Sequence, residues 1–388
     1  MARKFLLCTL SISFGCFVSV LLVELVLRVS NVWIGRHSDT MFTVMDYDAV
    51  LGWKMKPNIS GTIDMVDVEG IPVRSNSLGF WDRDFPIQKT SGRSRILFLG
   101  DSFTWGLGVR ESERFTNVLA AANPQWEILN FGVPGYGTDQ SLLVWQHLAL
   151  RYQPDVVVLT VYENDYGDNV SSVRSGRRKP YFELKEGDRI EVRNIPVNAR
   201  DFWDDGIFNQ IAPSYAALFP EAVQKRSRIV HWLAKNSDLA RLVYTVLRSG
   251  SAHAAGNEHS STVTQGGKIG SDGTKSTESE LNPRQQVQVR LLGAIIEELA
   301  KQVKTVNARF ALVLAGRPSA MYEGQKKLFD RVGILSLDAT TESLASSLPG
   351  GTRVYYPYSK HWTPEANRAV ADLLSKFIQE RILCDHCR

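Results

Sequence analysis

At 388 residues, with 44% hydrophobic and 22% charged side chains, the chain has enough apolar surface for one large core or two modest ones, which excludes a disordered polymer. Its formal net charge of +4 comes from scattered basic residues, and this gives no warrant for nucleic-acid binding. Four cysteines, Cys8, Cys16, Cys384 and Cys387, set no disulfide framework.

Arg3 and Lys4 precede an uncharged run from Phe5 to Val23, long enough to cross ~30 Å of hydrocarbon as a helix. The run is longer than the apolar core of a signal peptide and is followed by no small-x-small cleavage site. Residues 1–30 therefore read as an uncleaved N-terminal transmembrane helix that meets the membrane over residues 5–27. Positive charge at the extreme N-terminus predicts a cytoplasmic start. The expectation is a single-pass membrane protein whose body is extracytoplasmic, periplasmic in a Gram-negative bacterium, with Arg28 and Arg36 pulling the other way.

Residues 31–92, with Gly52, Pro57, Gly61, Gly70 and Pro72 between short apolar stretches, read as an entry segment of short strands and turns. From Arg95 the texture changes. The apolar run Ile96 to Leu99 ending in Gly100 predicts a strand buried on both faces. A helix follows over 115–122, a strand over 127–130, a helix over 141–151 and a strand over 156–161; this alternation is that of an α/β domain with a parallel sheet. An insertion over 171–285 interrupts it. Its first part is basic and turn-rich, its middle (216–247) looks helical, and a Gly/Ser/Thr-rich tract over about 249–282 reads as disordered. The insertion is either a cap over the active edge or a surface elaboration. The alternation resumes with a helix over 286–303, strands over 310–314 and 334–337, and a closing helix over 364–382, so that 93–383 is one domain. Residues 384–388 form a tail: Cys384, His386 and Cys387 fall short of the four ligands of a structural zinc, and no metal or organic cofactor is expected.

Ser102 lies just past the carboxyl end of the predicted strand 96–99, the edge at which doubly wound sheets bind ligands. A serine hydroxyl needs a base before it attacks anything. His361 is placed to be that base, because it directly precedes Trp362-Thr363-Pro364, where Thr363 can cap and Pro364 can open the last helix.

GDSFTWG at 100–106, NFGVPGYG at 130–137, ENDYGDN at 163–169 and HWTPEANRAVADLL at 361–374 resemble, in order, the sequence blocks of the SGNH (GDSL-like) hydrolase superfamily. LGWKMKPN at 51–58 and NSLGFWD at 76–82 resemble the lead-in of its membrane-anchored bacterial members. The resemblance covers roughly 95–170 and 285–380. It implies a three-layer flavodoxin-like fold with a parallel five-stranded sheet, Ser102 as nucleophile, His361 as general base, and Gly135 and Asn164 as oxyanion donors beside the Ser102 main-chain N–H.

Two departures stand out. Tyr162 occupies the place of a glycine two residues before Asn164. The aspartate expected two or three positions before the histidine is absent, those positions being Ser359 and Tyr358. A backbone carbonyl could hold the ring instead, and Asp338, at the end of a later strand, is a possible orienting acid, although a strand-end aspartate commonly caps the following turn.

The functional expectation is a serine esterase acting on ester-linked acyl groups of an envelope carbohydrate or another ester-bearing small molecule or glycan, through a Ser102 acyl-enzyme. The alternatives are a polysaccharide O-acyltransferase and a non-catalytic glycan-binding scaffold. The sequence names no protein partner.

Overall fold

The computed structural model describes residues 44–65, 67–174, 177–199 and 281–384, with short helical pieces at 14–15, 18–24 and 26. Most of the expected anchor, the helical middle of the insertion and nearly all of its Gly/Ser/Thr tract lie outside the described residues. Among the described residues no helix is long and apolar enough to cross a membrane. The chain divides into two units, Met1–Ser38 with Trp203–Asp272, and Asp39–Phe202 with Gly273–Arg388; nearly all the described residues belong to the second.

That unit begins with two hairpins of the entry segment, β1 (Met45–Asp48) with β2 (Gly52–Met55) and β3 (Ser60–Ile63) with β4 (Ile71–Arg74). The main sheet follows: β5 (Ser94–Leu99), α1 (Ser102–Trp105), α2 (Phe115–Ala122), β6 (Trp126–Asn130), α3 (Thr138–Val144), β7 (Val156–Val161) and α4 (Asp165–Asp168). The start of the insertion, expected to be turns, holds two more antiparallel pairs, β8 (Val173–Arg174) with β9 (Arg177–Arg178) and β10 (Tyr181–Leu184) with β11 (Ile190–Arg193). The closing elements are α5 (Pro283–Thr305), β12 (Arg309–Gly316), α6 (Ala320–Arg331), β13 (Leu335–Thr340), α7 (Thr341–Ser347) and α8 (Pro364–Phe377). Cys384, in the expected tail, is disulfide-bonded.

The five long strands form one parallel sheet in the order β13-β12-β7-β5-β6. With β5 counted as the first strand, this is the flavodoxin-like order, and the direction of winding reverses between β5 and β7. Successive side chains point to opposite faces. Ile96, Phe98, Val156, Val158, Ala311 and Val313 join the core beneath α2 and α8. Leu97, Leu99, Val157, Leu159, Leu312 and Leu314 join the one shared with α3, α5 and the entry segment. With helices covering both faces, every central strand is buried, which is why these strands read as unbroken apolar runs.

The entry segment packs into the second core through Trp53, Met55, Ile63, Phe80 and Trp81. Trp53 Nε1 donates to Pro134 O at 3.0 Å, and the hydroxyl of Tyr136 donates to Trp53 O. The hairpin β1–β2 thereby grips the loop that follows β6.

Candidate active site

The chain leaves β5 through Gly100, whose φ of +144° leaves no room for a side chain: a Cβ there would stand 2.4 Å from Thr104 Oγ1 and 3.1 Å from Thr160 O. Asp101 caps the short helix α1, accepting from Phe103 N at 2.9 Å, and so sets Ser102 at the helix start, 9% exposed. Burial raises the Asp101 carboxyl to about 7; the Phe103 N–H opposes this, and the neighbouring Asp168 adds to it.

His361 arrives from the other end of the fold. Tyr356 N donates to His361 O at 2.9 Å, and Thr363 N to Val354 O at 3.0 Å, so the preceding loop is closed like a hairpin. Thr363 and Pro364 open α8 as the sequence predicts, with the Thr363 side chain accepting from Ala366 N. Trp362 is buried against Phe103 and Phe115, and Asn367 Oδ1 accepts from Phe115 N at 3.0 Å, joining α8 to α2. The imidazole packs on the Phe103 ring, 5.1 Å between centroids, and its Nε2 lies 2.8 Å from Ser102 Oγ.

Burial lowers His361 to about 4, against the opposing pull of the Ser359 main chain and the Asp67 carboxylate. The residue is only partly buried as a whole, yet its far nitrogen, Nδ1, is shut off from solvent, and among the described residues no group meets hydrogen-bond geometry there.

Gly135 and Asn164 stand in the loops after β6 and β7, the two neighbours of β5. The first loop is drawn to the Ser102 turn by Val133 N on Gly100 O at 3.1 Å and by Asn130 Nδ2 on Thr104 O at 2.6 Å. Gly135 has φ +79°, a left-handed conformation that favours glycine. Asn164 Nδ2 donates to Asp168 Oδ2 at 2.7 Å; this commits one amide hydrogen and leaves the second for another acceptor. The Asp168 carboxylate is in turn held by Arg174, 3.0 Å away on β8. Tyr162 packs its ring on Phe103, 4.3 Å between centroids, and so covers the histidine's neighbour where a glycine would leave it open.

Asp338 is turned elsewhere. Its Oδ1 accepts from Thr340 N at 2.9 Å and from Thr340 Oγ1 at 2.7 Å, the turn-capping use of a strand-end aspartate, and it is not among the groups that act on His361. The carboxylate that does act there, Asp67, belongs to the entry segment and was not singled out in the sequence. Among the described residues no group of three or more His, Cys, Asp or Glu could hold a metal ion.

The model of the GDSL-like lipase/acylhydrolase family matches residues 98–327, a span that holds Ser102, Gly135 and Asn164 and ends before His361. Similar solved structures include a catalytic mutant of an acetylxylan esterase from Geobacillus stearothermophilus (11% identity, 77% of this chain and 100% of that one, TM-score 0.36). Others are a psychrotrophic esterase from Pseudoalteromonas sp. (12% identity, 74% and 96%, TM-score 0.35) and a member of the lipolytic protein G-D-S-L family from Veillonella parvula DSM 2008 (11% identity, 72% and 95%, TM-score 0.33). No curated protein matches the chain. Since the family model spans more than half of the 388 residues, the chain belongs to the GDSL-like lipase/acylhydrolase family, whose members act on ester bonds.

Proposed function

We propose that the protein is a serine esterase that removes acyl groups from an envelope carbohydrate or a similar ester-bearing substrate on the outer side of a membrane. The observation that carries the chemistry is the 2.8 Å approach of Ser102 Oγ to His361 Nε2. In that geometry the neutral imidazole accepts the hydroxyl proton at Nε2 as Oγ bonds to the ester carbonyl carbon. The carbonyl oxygen becomes an oxyanion facing the main-chain N–H groups of Ser102 and Gly135 and the uncommitted amide hydrogen of Asn164. The tetrahedral adduct collapses as His361 returns the proton to the departing alkoxide, which leaves an ester on Ser102. Water, deprotonated by the same nitrogen, repeats the sequence and frees the acid.

The outer location and the carbohydrate rest on the apolar run after Arg3 and Lys4 and on the likeness of the entry segment to membrane-anchored members. A second reading, transfer of the acyl group to a glycan hydroxyl, is favoured by how little of the nucleophile meets solvent, Ser102 being 9% exposed. Transfer replaces water by a sugar hydroxyl in the second half and leaves the first half unchanged.

The test uses the full chain in detergent with a fluorophosphonate label, an aryl acetate and an acetylated glycan. Labelling of the native enzyme, lost in Ser102→Ala, together with free acid from both substrates, supports the esterase. Acyl-glycan formed in place of free acid favours transfer. No labelling of the native enzyme, with glycan affinity retained, would sink both and leave a binding scaffold. Protease accessibility of the body in sealed vesicles tests its side of the membrane.

A further inference from the structure

For Nε2 to accept a proton, the ring must carry its own on Nδ1. That Nδ1 is buried with no group among the described residues in good hydrogen-bond geometry, the Ser359 main chain being the neighbour that favours its proton; the hydroxyl of Ser359, one of the two positions where an aspartate would be expected, is likewise buried and unpaired there. A carboxylate nevertheless reaches both positions, and it comes from the entry segment. Mutual main-chain bonds between Met65 and Val68, 2.8 and 3.3 Å, close a turn between β3 and β4 that presents Asp67. Its Oδ2 accepts from Ser359 N at 2.7 Å and its Oδ1 from Tyr358 N at 3.2 Å. Both oxygens thus hold successive N–H groups of the loop that ends in His361, about 290 positions away in sequence.

We propose that Asp67 is a positioning residue for His361, supplying from the entry segment the loop anchor and negative charge that an aspartate within the histidine loop would otherwise supply. The inference rests on His361 acting as base for Ser102. Lys360, between the anchored Ser359 and the ring, has φ +60°, a sparsely populated conformation for a side chain other than glycine, which the surrounding bonds must hold. The charge acts on the ring as well: Asp67 favours the protonated imidazole against the effect of burial. Around the loop, Glu113 on the turn before α2 and Glu365 on α8 act with Asp67 on Tyr356, Lys360 Nζ is turned to Pro357 O, and Asp338 is occupied by Thr340. Among the described residues, Asp67 is the charged side chain that acts on His361.

The experiment compares the native full chain with Asp67→Asn and with Asp67→Asn/Ser359→Asp, which returns a carboxylate two positions before the histidine. Asp67→Asn is expected to lower kcat about 10²-fold with KM nearly unchanged, the scale of losing one aid to general-base catalysis. Its acid limb in kcat/KM should move to lower pH, because a charge that raises the imidazole has gone. Ser359→Asp should restore about 10-fold or more of kcat. Native kcat and an unmoved pH profile in Asp67→Asn would overturn the proposal, as would a loss with no pH shift that Ser359→Asp fails to repair. If Asp67→Asn does not fold, Asp67→Glu carries the test: reduced kcat with the native acid limb supports the proposal, and native values of both overturn it. Fluorophosphonate labelling of the native chain separates the outcomes, since its absence strikes at Ser102 and not at Asp67.

Discussion

The Ser102 hydroxyl and the His361 imidazole, 259 positions apart in the chain, meet at 2.8 Å where the carboxyl end of β5 faces the start of α8. A nucleophile and a base that act as a unit lose their function together. Ser102→Ala and His361→Ala should each reduce turnover of an aryl ester by about 10⁴–10⁶-fold, and the double variant should be hardly worse than either. Additive losses in the double variant, or turnover surviving in Ser102→Ala, would show that the two do not share a proton transfer.

The proposed oxyanion donor Asn164 is held by a second residue. Asn164→Ala should lower kcat by about 10²–10³-fold with a smaller change in KM, because the amide is needed most when the carbonyl oxygen carries charge. Asp168 accepts one hydrogen of that amide at 2.7 Å. Asp168→Ala should therefore cost less, on the order of 10-fold in kcat, as the amide loses its orientation and is not itself removed. Steady-state kinetics on one aryl ester series measure both, and an Asp168→Ala loss confined to KM would contradict the aiming role.

Much of the candidate site is legible in the sequence because its parts are local. Ser102, Gly135 and Asn164 each stand in the loop after a predicted strand, and His361 sits directly before a Thr-Pro helix start. Asp67 was not legible. It is one carboxylate in a turn-rich segment, and its partners are backbone N–H groups, which carry no side-chain signature at either end. Asp338 attracted notice for the same local reason that misdirected it, since a strand-end aspartate finds the nearby Thr340 before anything distant. In the fold, α6 went unseen because it buries little beyond Tyr322, Gln325 and Phe329, too thin a stripe for apolar periodicity. The pair β10–β11 was hidden by charges, with Glu183, Glu191 and Arg193 on its faces.

The pH dependence follows from the environment of His361. An ordinary imidazole titrates near 6.5, and burial brings this one down to about 4. The base must be neutral to act, so activity should persist well below pH 6.5, and the acid limb of kcat/KM should fall toward about 4. Stability carries the same sign. Between those two values the unfolded chain binds a proton at this residue that the folded chain does not, so this residue's contribution to stability declines as pH falls through that window. A pH–rate profile on a non-ionising ester checks the first point. An acid limb at or above 6.5 would mean that the ring is charged in the free enzyme and held by a group not yet identified.

A buried ion pair tethers the entry segment to the sheet, away from the chemistry. Arg95 on β5 is fully buried; its Nε donates to Glu127 Oε2 on β6 at 2.9 Å, and its other nitrogens donate to the carbonyls of Ile87 at 2.9 Å, Gln88 at 3.0 Å and Tyr152 at 2.7 Å. Removing the cation leaves its partners behind: Arg95→Ala leaves three carbonyls without their donor and a buried Glu127 carboxylate held, among the described residues, by Thr90 alone, a loss of about 3–5 kcal/mol. Glu127→Gln should cost less, because the amide oxygen can still accept from Nε. Replacing both, Arg95→Leu with Glu127→Leu, should recover part of the loss by removing the uncompensated charge, although the three carbonyls still lose their donor. Thermal or urea unfolding followed by tryptophan fluorescence gives the ranking. A double variant less stable than Arg95→Ala would show that the guanidinium works mainly through the three carbonyls, with its carboxylate partner secondary.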